Sequence, residues 1–313
     1  MINRVLLRNK VIQILYSYYK NNAESLDFEE AKDELAISIE KTYELYHYLL
    51  QTIVNVTSYA TNKLERSNKR SSDLQLMTKL SNNKFALQLA QNKDLLKFIE
   101  EHDLDWPTEE SEITKTLYKE IAQVPEVNTY CEKGETTYEE DREVWRLIYR
   151  RLIVDNEELS DLLEDINVYW NDDKTIVDTF VLKTINRFTS ESNSAFPLMP
   201  EYKSDTDRDF ATKLLRRAIT GHEYFSSLIG SNTRGWDPNR IALMDRIILQ
   251  LGLAEITTFP NIPISVSINE YVEIAKMYST PKSGKYVNAT LDTIAKQLME
   301  EGKLVKSEQN SNK

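Results

Sequence analysis

The sequence predicts an all-α protein, and three observations carry that expectation. Glycine occurs only seven times in 313 residues, too sparse for hairpin turns, phosphate loops or a doubly wound sheet. Apolar residues recur at helical spacing over long stretches, and residues 27–66 run without a single Pro or Gly. Strand-like alternation is confined to the short run ISVSI at 264–268.

Taken in order, the chain opens with RVLLRNKVIQILYSYY, basic and then apolar, which reads as a first helix within residues 1–22. A long helix follows over 27–66, then helical stretches near 83–102, 109–123, 138–167 and 172–188. The tract FTSESNSAFPLMPEYKSDTD, 188–207, has Ser and Pro and no period, so it reads as a linker or boundary. Helices resume near 207–230, 238–257, 267–279 and 283–301, separated by GSNTRGWDP, FPNIP and STPKSG. The helix after Trp236-Asp237-Pro238 is apolar nearly all round, from Ile241 and Met244 through Ile247, Ile248, Leu249, Leu251, Leu253 and Ala254. Such a helix belongs at the centre of a bundle. Its only charges are Arg240, Asp245, Arg246 and Glu255. Ser267 and Glu270 are spaced as a capping box for the next helix, and Ser283 is placed to cap the last one.

Composition removes several function classes. One cysteine, Cys131, excludes a disulfide framework and a cysteine-rich metal site and suits a reducing compartment. His47, His102 and His222 have no acid or cysteine partner at ligand spacing, so no metal is expected. No nucleophile elbow, Walker loop or dinucleotide glycine pattern occurs; no catalytic residue and no cofactor is expected. Acidic pairs such as Glu164-Asp165 and Asp172-Asp173 read as solvated faces or caps. The longest uncharged stretch, 45–62, is too polar to span a bilayer, and the N-terminus lacks a cleavage site, which together point to a cytoplasmic protein without a membrane role.

The net charge of −11 is unevenly spread. Residues 1–22 carry +4, residues 201–313 carry +1, and residues 23–200 carry −16. The acidity therefore belongs to the middle and says nothing against a polyanionic partner for the ends.

The strings DRIILQLGLAEI, SINEYVEIAKMYS and KSGKYVNATLD, in that order with a proline-containing loop after the first, resemble the NusB family of bacterial transcription antitermination factors. The opening helix is similar to that family's first helix, and DFATKLLRRAITGHEYFSSLI to its middle helix. The resemblance covers 1–22 and about 201–305. Two departures stand out: Val287-Asn288-Ala289 replaces the family's VNG, and the family's arginine run is reduced to Arg4, Arg8 and Lys10. The implied architecture is a NusB-like helical bundle built from 1–22 plus 201–313, with 23–200 an inserted acidic helical domain.

What the resemblance implies about function is non-catalytic. The family binds boxA-like single-stranded RNA of ribosomal RNA operons together with NusE, a small-subunit ribosomal protein, within an RNA polymerase antitermination complex. By position, Arg4 and Arg8 match family arginines on the RNA-binding helix, with Lys10 a nearby base. Lys285 matches the family's base before FVN, and Lys282 is a second base at the start of the last helix. Tyr16 and Asp245 match positions that face NusE, with Tyr18 beside them. Read from the residues alone, Arg4 and Arg8 lie one helical turn apart and reach two neighbouring phosphates, or they are the snorkelling start of a core helix, since Val11 and Leu15 share their face. Asp245 on an apolar helix either pairs with Arg246 or another helix, or marks a rim that meets a basic partner. The alternative function is a protein–protein adaptor on the same fold that has lost RNA binding. Family bundles occur as monomers and dimers, so a homodimer is left open.

Overall fold

The computed structural model describes residues 1–20, 27–67, 73–104, 106–154, 156–232, 241–304 and 306. Its helices in chain order are α1 (Arg4–Lys20), α2 (Phe28–Arg66), α3 (Leu74–Ser81), α4 (Lys84–Ala90), α5 (Lys93–Glu101), α6 (Glu112–Ile121), α7 (Pro125–Glu132) and α8 (Tyr138–Leu152). They continue as α9 (Glu157–Ile166), α10 (Lys174–Arg187), α11 (Asp205–Thr220), α12 (His222–Asn232), α13 (Leu243–Thr258), α14 (Ile264–Tyr278) and α15 (Pro281–Glu300), with a 3₁₀ turn at Val168–Trp170. Among the described residues no strand occurs, and extended pairing is one parallel bridge between Ile2 and Tyr202. The all-α expectation holds. The Trp236-Asp237-Pro238 helix start and Arg240 lie outside the described residues.

Side-chain caps divide what periodicity alone runs together. The stretch 83–102 is two helices because Asn92 caps α5, accepting from Leu95 N at 3.1 Å. Asn156 does the same for α9, accepting from Leu159 N at 2.9 Å, so 138–167 is also two helices. The run ISVSI is not a strand: Pro263 stands at the N-cap and 264–268 form the opening turn of α14. That start also corrects the expected capping box, since Ser267 and Glu270 fall inside α14 and their side chains turn elsewhere. At α15 the cap is Thr280, with Ser283 as its reciprocal partner at the third helical position, rather than Ser283 itself.

The chain divides into two compact units. The terminal unit comprises Ile2–Ile39 and Tyr202–Lys313; the inserted unit comprises Met1 and Glu40–Glu201. The terminal unit thus takes in the start of α2, beyond residue 22, and there the Arg216 guanidinium lies 4.0 Å from the Phe28 ring centroid.

At the centre of the terminal unit is α13, where every side chain from Ile247 to Ile256 is buried. α11 runs antiparallel to it: Gln250 Nε2 donates to the Ala218 carbonyl at 2.8 Å, and the Phe210 and Phe259 rings are 4.8 Å apart. Gly252 lets α14 and α15 close on α13, because a Cβ there would lie 2.8 Å from Leu291 Cδ1 and 3.4 Å from the Tyr271 ring.

In the inserted unit, buried polar groups tie distant helices together. Of the expected alternatives, solvated face or cap, Asp173 takes the N-cap position of α10, but its side chain is buried and accepts from Thr42 Oγ1 at 2.5 Å instead of capping the helix. Asp178 accepts from Tyr149 at 2.6 Å and from Lys174 Nζ at 2.9 Å. Asp141 accepts from Tyr130 at 2.7 Å and from Lys84 N at 2.9 Å.

Candidate nucleic-acid and partner interface

The candidate interface begins with α1, and most of that helix is not surface. Leu6 to Ile12 are buried without interruption, including Arg8, Asn9 and Lys10. Arg8, only 3% exposed, grips Glu255 of α13 with two of its three prongs: Nε to Oε2 at 2.7 Å and Nη2 to Oε1 at 2.8 Å. Its remaining prong, Nη1, donates to Glu270 of α14 at 3.1 Å. Glu255 is itself fully buried and also accepts from Ser267 Oγ at 2.7 Å and Tyr271 OH at 3.0 Å. Burial alone would favour loss of the Arg8 proton, but the hydrogen bond and charge of Glu255 prevail and raise its pKa. Burial, followed by the Glu255 charge, pushes the Tyr271 phenol well above its usual range. A carboxylate with four donors and a bidentate guanidinium is a satisfied buried ion pair.

The other predicted bases take different positions. The Arg4 side chain is 42% exposed, donates from Nε to Asp207 Oδ1 at 3.0 Å and stands 5.2 Å over Phe210. Lys282 and Lys285 are exposed on the first turns of α15. At the far end of α1, Tyr16 is half-buried under the Lys20 ammonium, 5.5 Å from the ring centroid, and Tyr18 is half-buried with its ring edge-on to Tyr19. Tyr19 closes a polar cluster that sequence reading did not resolve: its OH meets Gln250 Nε2 and His222 Nδ1, each at 2.9 Å. Asp245 is taken by another helix, its Oδ2 accepting from Ser283 Oγ of α15 at 3.0 Å, while Oδ1 is buried without a hydrogen bond.

The predicted residues therefore form two groups. Arg4 and Arg8 lie beside the C-terminal half of α13, whereas Asp245 and the Tyr19 cluster lie toward its start. Ten residues separate Asp245 from Glu255, about 15 Å along the helix. Glu255 is the key partner that sequence reading left without a role, although a carboxylate in an otherwise apolar run was the available signal. Among the described residues no group of three or more His, Cys, Asp or Glu side chains is placed to hold a metal ion. Cys131 is buried, and burial pushes its thiol up to about 11.

The pattern described as the NusB family matches residues 174–296, from α10 into α15, a range that excludes α1. The chain is 37% identical over 109 residues to a transcription antitermination protein NusB of Salinibacter ruber, 35% of this chain and 68% of that protein. The chain belongs to the NusB family. It is also 36% identical over 100 residues to the protein of that name from Chloroherpeton thalassium, covering 32% of this chain and 47% of the relative. For the one from Methylacidiphilum infernorum the figures are 42% over 90 residues, 29% and 63%. No solved structure matches the chain. The match begins at Lys174, which lies in the inserted unit. Among the described residues no helix is long and apolar enough to cross a membrane.

Proposed function

We propose that this NusB-family protein is a cytoplasmic, non-catalytic transcription antitermination factor that holds boxA-like single-stranded RNA together with NusE for the RNA polymerase antitermination complex. The observation carrying this reading is the similarity to a curated antitermination protein across two thirds of that protein's length. In this reading the RNA- and protein-binding bundle is the part assembled from both chain ends, and the acidic insertion is an addition to it. Tyr16, Tyr18 and Asp245 belong to the partner face.

Burial supports different tasks for the bases. Lys282 and Lys285, both exposed, and the half-exposed Arg4, which would have to leave Asp207, contact phosphates; Arg8 holds α1 against α13 and α14, and Lys10 is enclosed with it. Three phosphate contacts alone make a weak site, so most of the affinity comes from the joint surface with NusE. The burial of Arg8 and Lys10 favours a second reading, an adaptor on the NusB fold that no longer binds RNA.

Fluorescence anisotropy of a labelled boxA-like RNA, with and without the cognate NusE, separates the two. Salt-sensitive binding strengthened by NusE and weakened by Arg4→Ala with Lys282→Ala and Lys285→Ala supports the antitermination reading. Binding of NusE with no RNA affinity at any salt concentration leaves the adaptor.

A further inference from the structure

The outer face of α11, in the terminal unit, carries cations that no acid uses. Arg208 and Arg216 are exposed and Arg217 half-buried, and among the described residues none of the three has a carboxylate partner. Each guanidinium lies over a ring instead: Tyr202 at 5.1 Å, Phe28 at 4.0 Å and Phe225 at 5.0 Å. A ring engages the face of a guanidinium and leaves its N–H edge for an anion. Most acids nearby are already taken. Arg4 holds Asp207 at 3.0 Å, Lys213 holds Asp209 at 3.3 Å and Lys32 holds Glu29 at 2.7 Å, which leaves Asp205 on this helix. From Arg208 to Arg217 the ridge is about 14 Å long.

In the inserted unit, α9 is the opposite case. Glu157, Glu158, Asp161, Glu164 and Asp165 are exposed, the helix has no base, and among the described residues none of the five forms an ion pair. Other acids of that unit are matched, as Glu101 is with Lys97, Glu126 with Arg151 and Glu143 with Arg146. Glu157, Asp161 and Asp165 recur at four-residue spacing, so like charges face one another along one ridge. Glu164 and Asp165 also stand on the last turn, where the helix dipole disfavours acids. The charge is felt on α6, where burial and then Glu158 raise the pKa of Glu120. Ile166 and Val168, the latter 70% exposed, add apolar surface at the end of the helix. From Glu157 to Asp165 the acidic ridge is about 12 Å long.

We propose that the α11 face of one molecule docks the α9 helix of a second copy of this chain, with the guanidinium edges of Arg208 and Arg216 on the α9 carboxylates. The two ridges match in length, are opposite in sign and are unmatched within their own units. A cation beside α9 relieves the repulsion that the helix bears alone, and complementary charge sets the orientation of the pair. A nucleic acid would satisfy α11 but would leave α9 as it stands, whereas pairing between copies uses both faces. Exposed ion pairs are individually weak and screened by salt, so the association is low in affinity and sensitive to ionic strength. The proposal is independent of the antitermination reading.

Sedimentation velocity of the full-length protein tests it at about 0.01 M and about 1 M salt, between which the screening length falls from about 30 Å to about 3 Å. The parent protein should associate with rising concentration, up to about 1 mM, at low salt and remain monomeric at high salt. Arg208→Glu with Arg216→Glu should weaken association roughly tenfold or more, and so should Asp161→Lys with Glu164→Lys and Asp165→Lys. All five positions are exposed, and lysines on the last turn of α9 favour the helix, so circular dichroism should show both variants folded. Mixing the two variants puts acids on one α11 against bases on the other α9, and association should return. A parent protein that stays monomeric at low salt would overturn the proposal, as would association indifferent to either set of substitutions. Failure of the mixed variants to associate would do the same. A monomeric parent whose RNA affinity drops with Arg208→Glu and Arg216→Glu would overturn it in favour of RNA as the occupant of α11.

Discussion

Arg8 turns a feature that reads as a nucleic-acid contact into a fastening. Its charge is spent on Glu255 and Glu270, and each acceptor oxygen of Glu255 has a second donor. Replacing Arg8 by Ala leaves Glu255 buried with an uncompensated charge, so a loss of about 3–5 kcal/mol in chemical denaturation is expected. Arg8→Lys should recover little of it, because an ammonium cannot reproduce two parallel bonds. An RNA-binding defect in Arg8→Ala is then expected to follow the loss of folded protein rather than a lost phosphate contact. His47 supplies the pH counterpart. Its folded-state pKa is lowered to about 3 by burial, so below the ordinary histidine range the unfolded chain binds a proton that the folded chain refuses. Stability therefore falls as pH drops from about 6 toward 4, by at most about 1.4 kcal/mol per pH unit from this group. His47→Phe keeps a ring against Phe98 and removes the titration. Denaturation midpoints between pH 4 and 6 should then vary less steeply than in the parent protein.

At the scale of elements, the crossing of α13 with α14 and α15 depends on Gly252. A methyl group there would stand 2.8 Å from Leu291 Cδ1 and 2.9 Å from Cδ2, closer than packed carbons lie. Gly252→Ala gains helix propensity but forces Leu291 aside, and a net loss of about 1–3 kcal/mol in unfolding free energy is expected. Asn92→Ala, by contrast, should cost about 1 kcal/mol by uncapping α5 and also loosen the Phe196 carbonyl that Asn92 Nδ2 holds at 2.8 Å. The sequence makes α13 legible because ten consecutive buried positions leave an apolar pattern no surface helix shows. It does not reveal α3 or α7, whose eight residues each give barely two turns of periodicity. The start of α14 is equally hidden. Alternation in ISVSI competes with a helix start at Pro263, and packing of Ser267, Ile268 and Tyr271 decides it. For the candidate interface, residue type was legible but burial was not. Arg8 and Lys10 look like Arg4 until Glu255, nearly 250 residues away, is brought alongside.

For the whole molecule, the charge divides with the fold: the terminal unit carries +1 and the inserted unit −12. An RNA approaching the terminal unit is therefore met by a nearly neutral bundle joined to a strongly acidic unit, and steering from a distance works against association. Screening shortens that repulsion to about 8 Å at physiological ionic strength, so phosphate contacts must act locally. With Arg8 and Lys10 enclosed, Arg4, Lys282 and Lys285 are the predicted bases left to make them. Single-stranded RNA releases about 0.7 counterions per neutralised phosphate, so three contacts give a slope near −2 in log affinity against log salt. Anisotropy titrations of boxA-like RNA across a fourfold salt range should thus give a slope of about −2 for the protein alone. A slope near −4 without NusE would mean that Arg8 and Lys10, or other bases, reach the RNA after all, and that α1 is far less enclosed in solution than its packing implies.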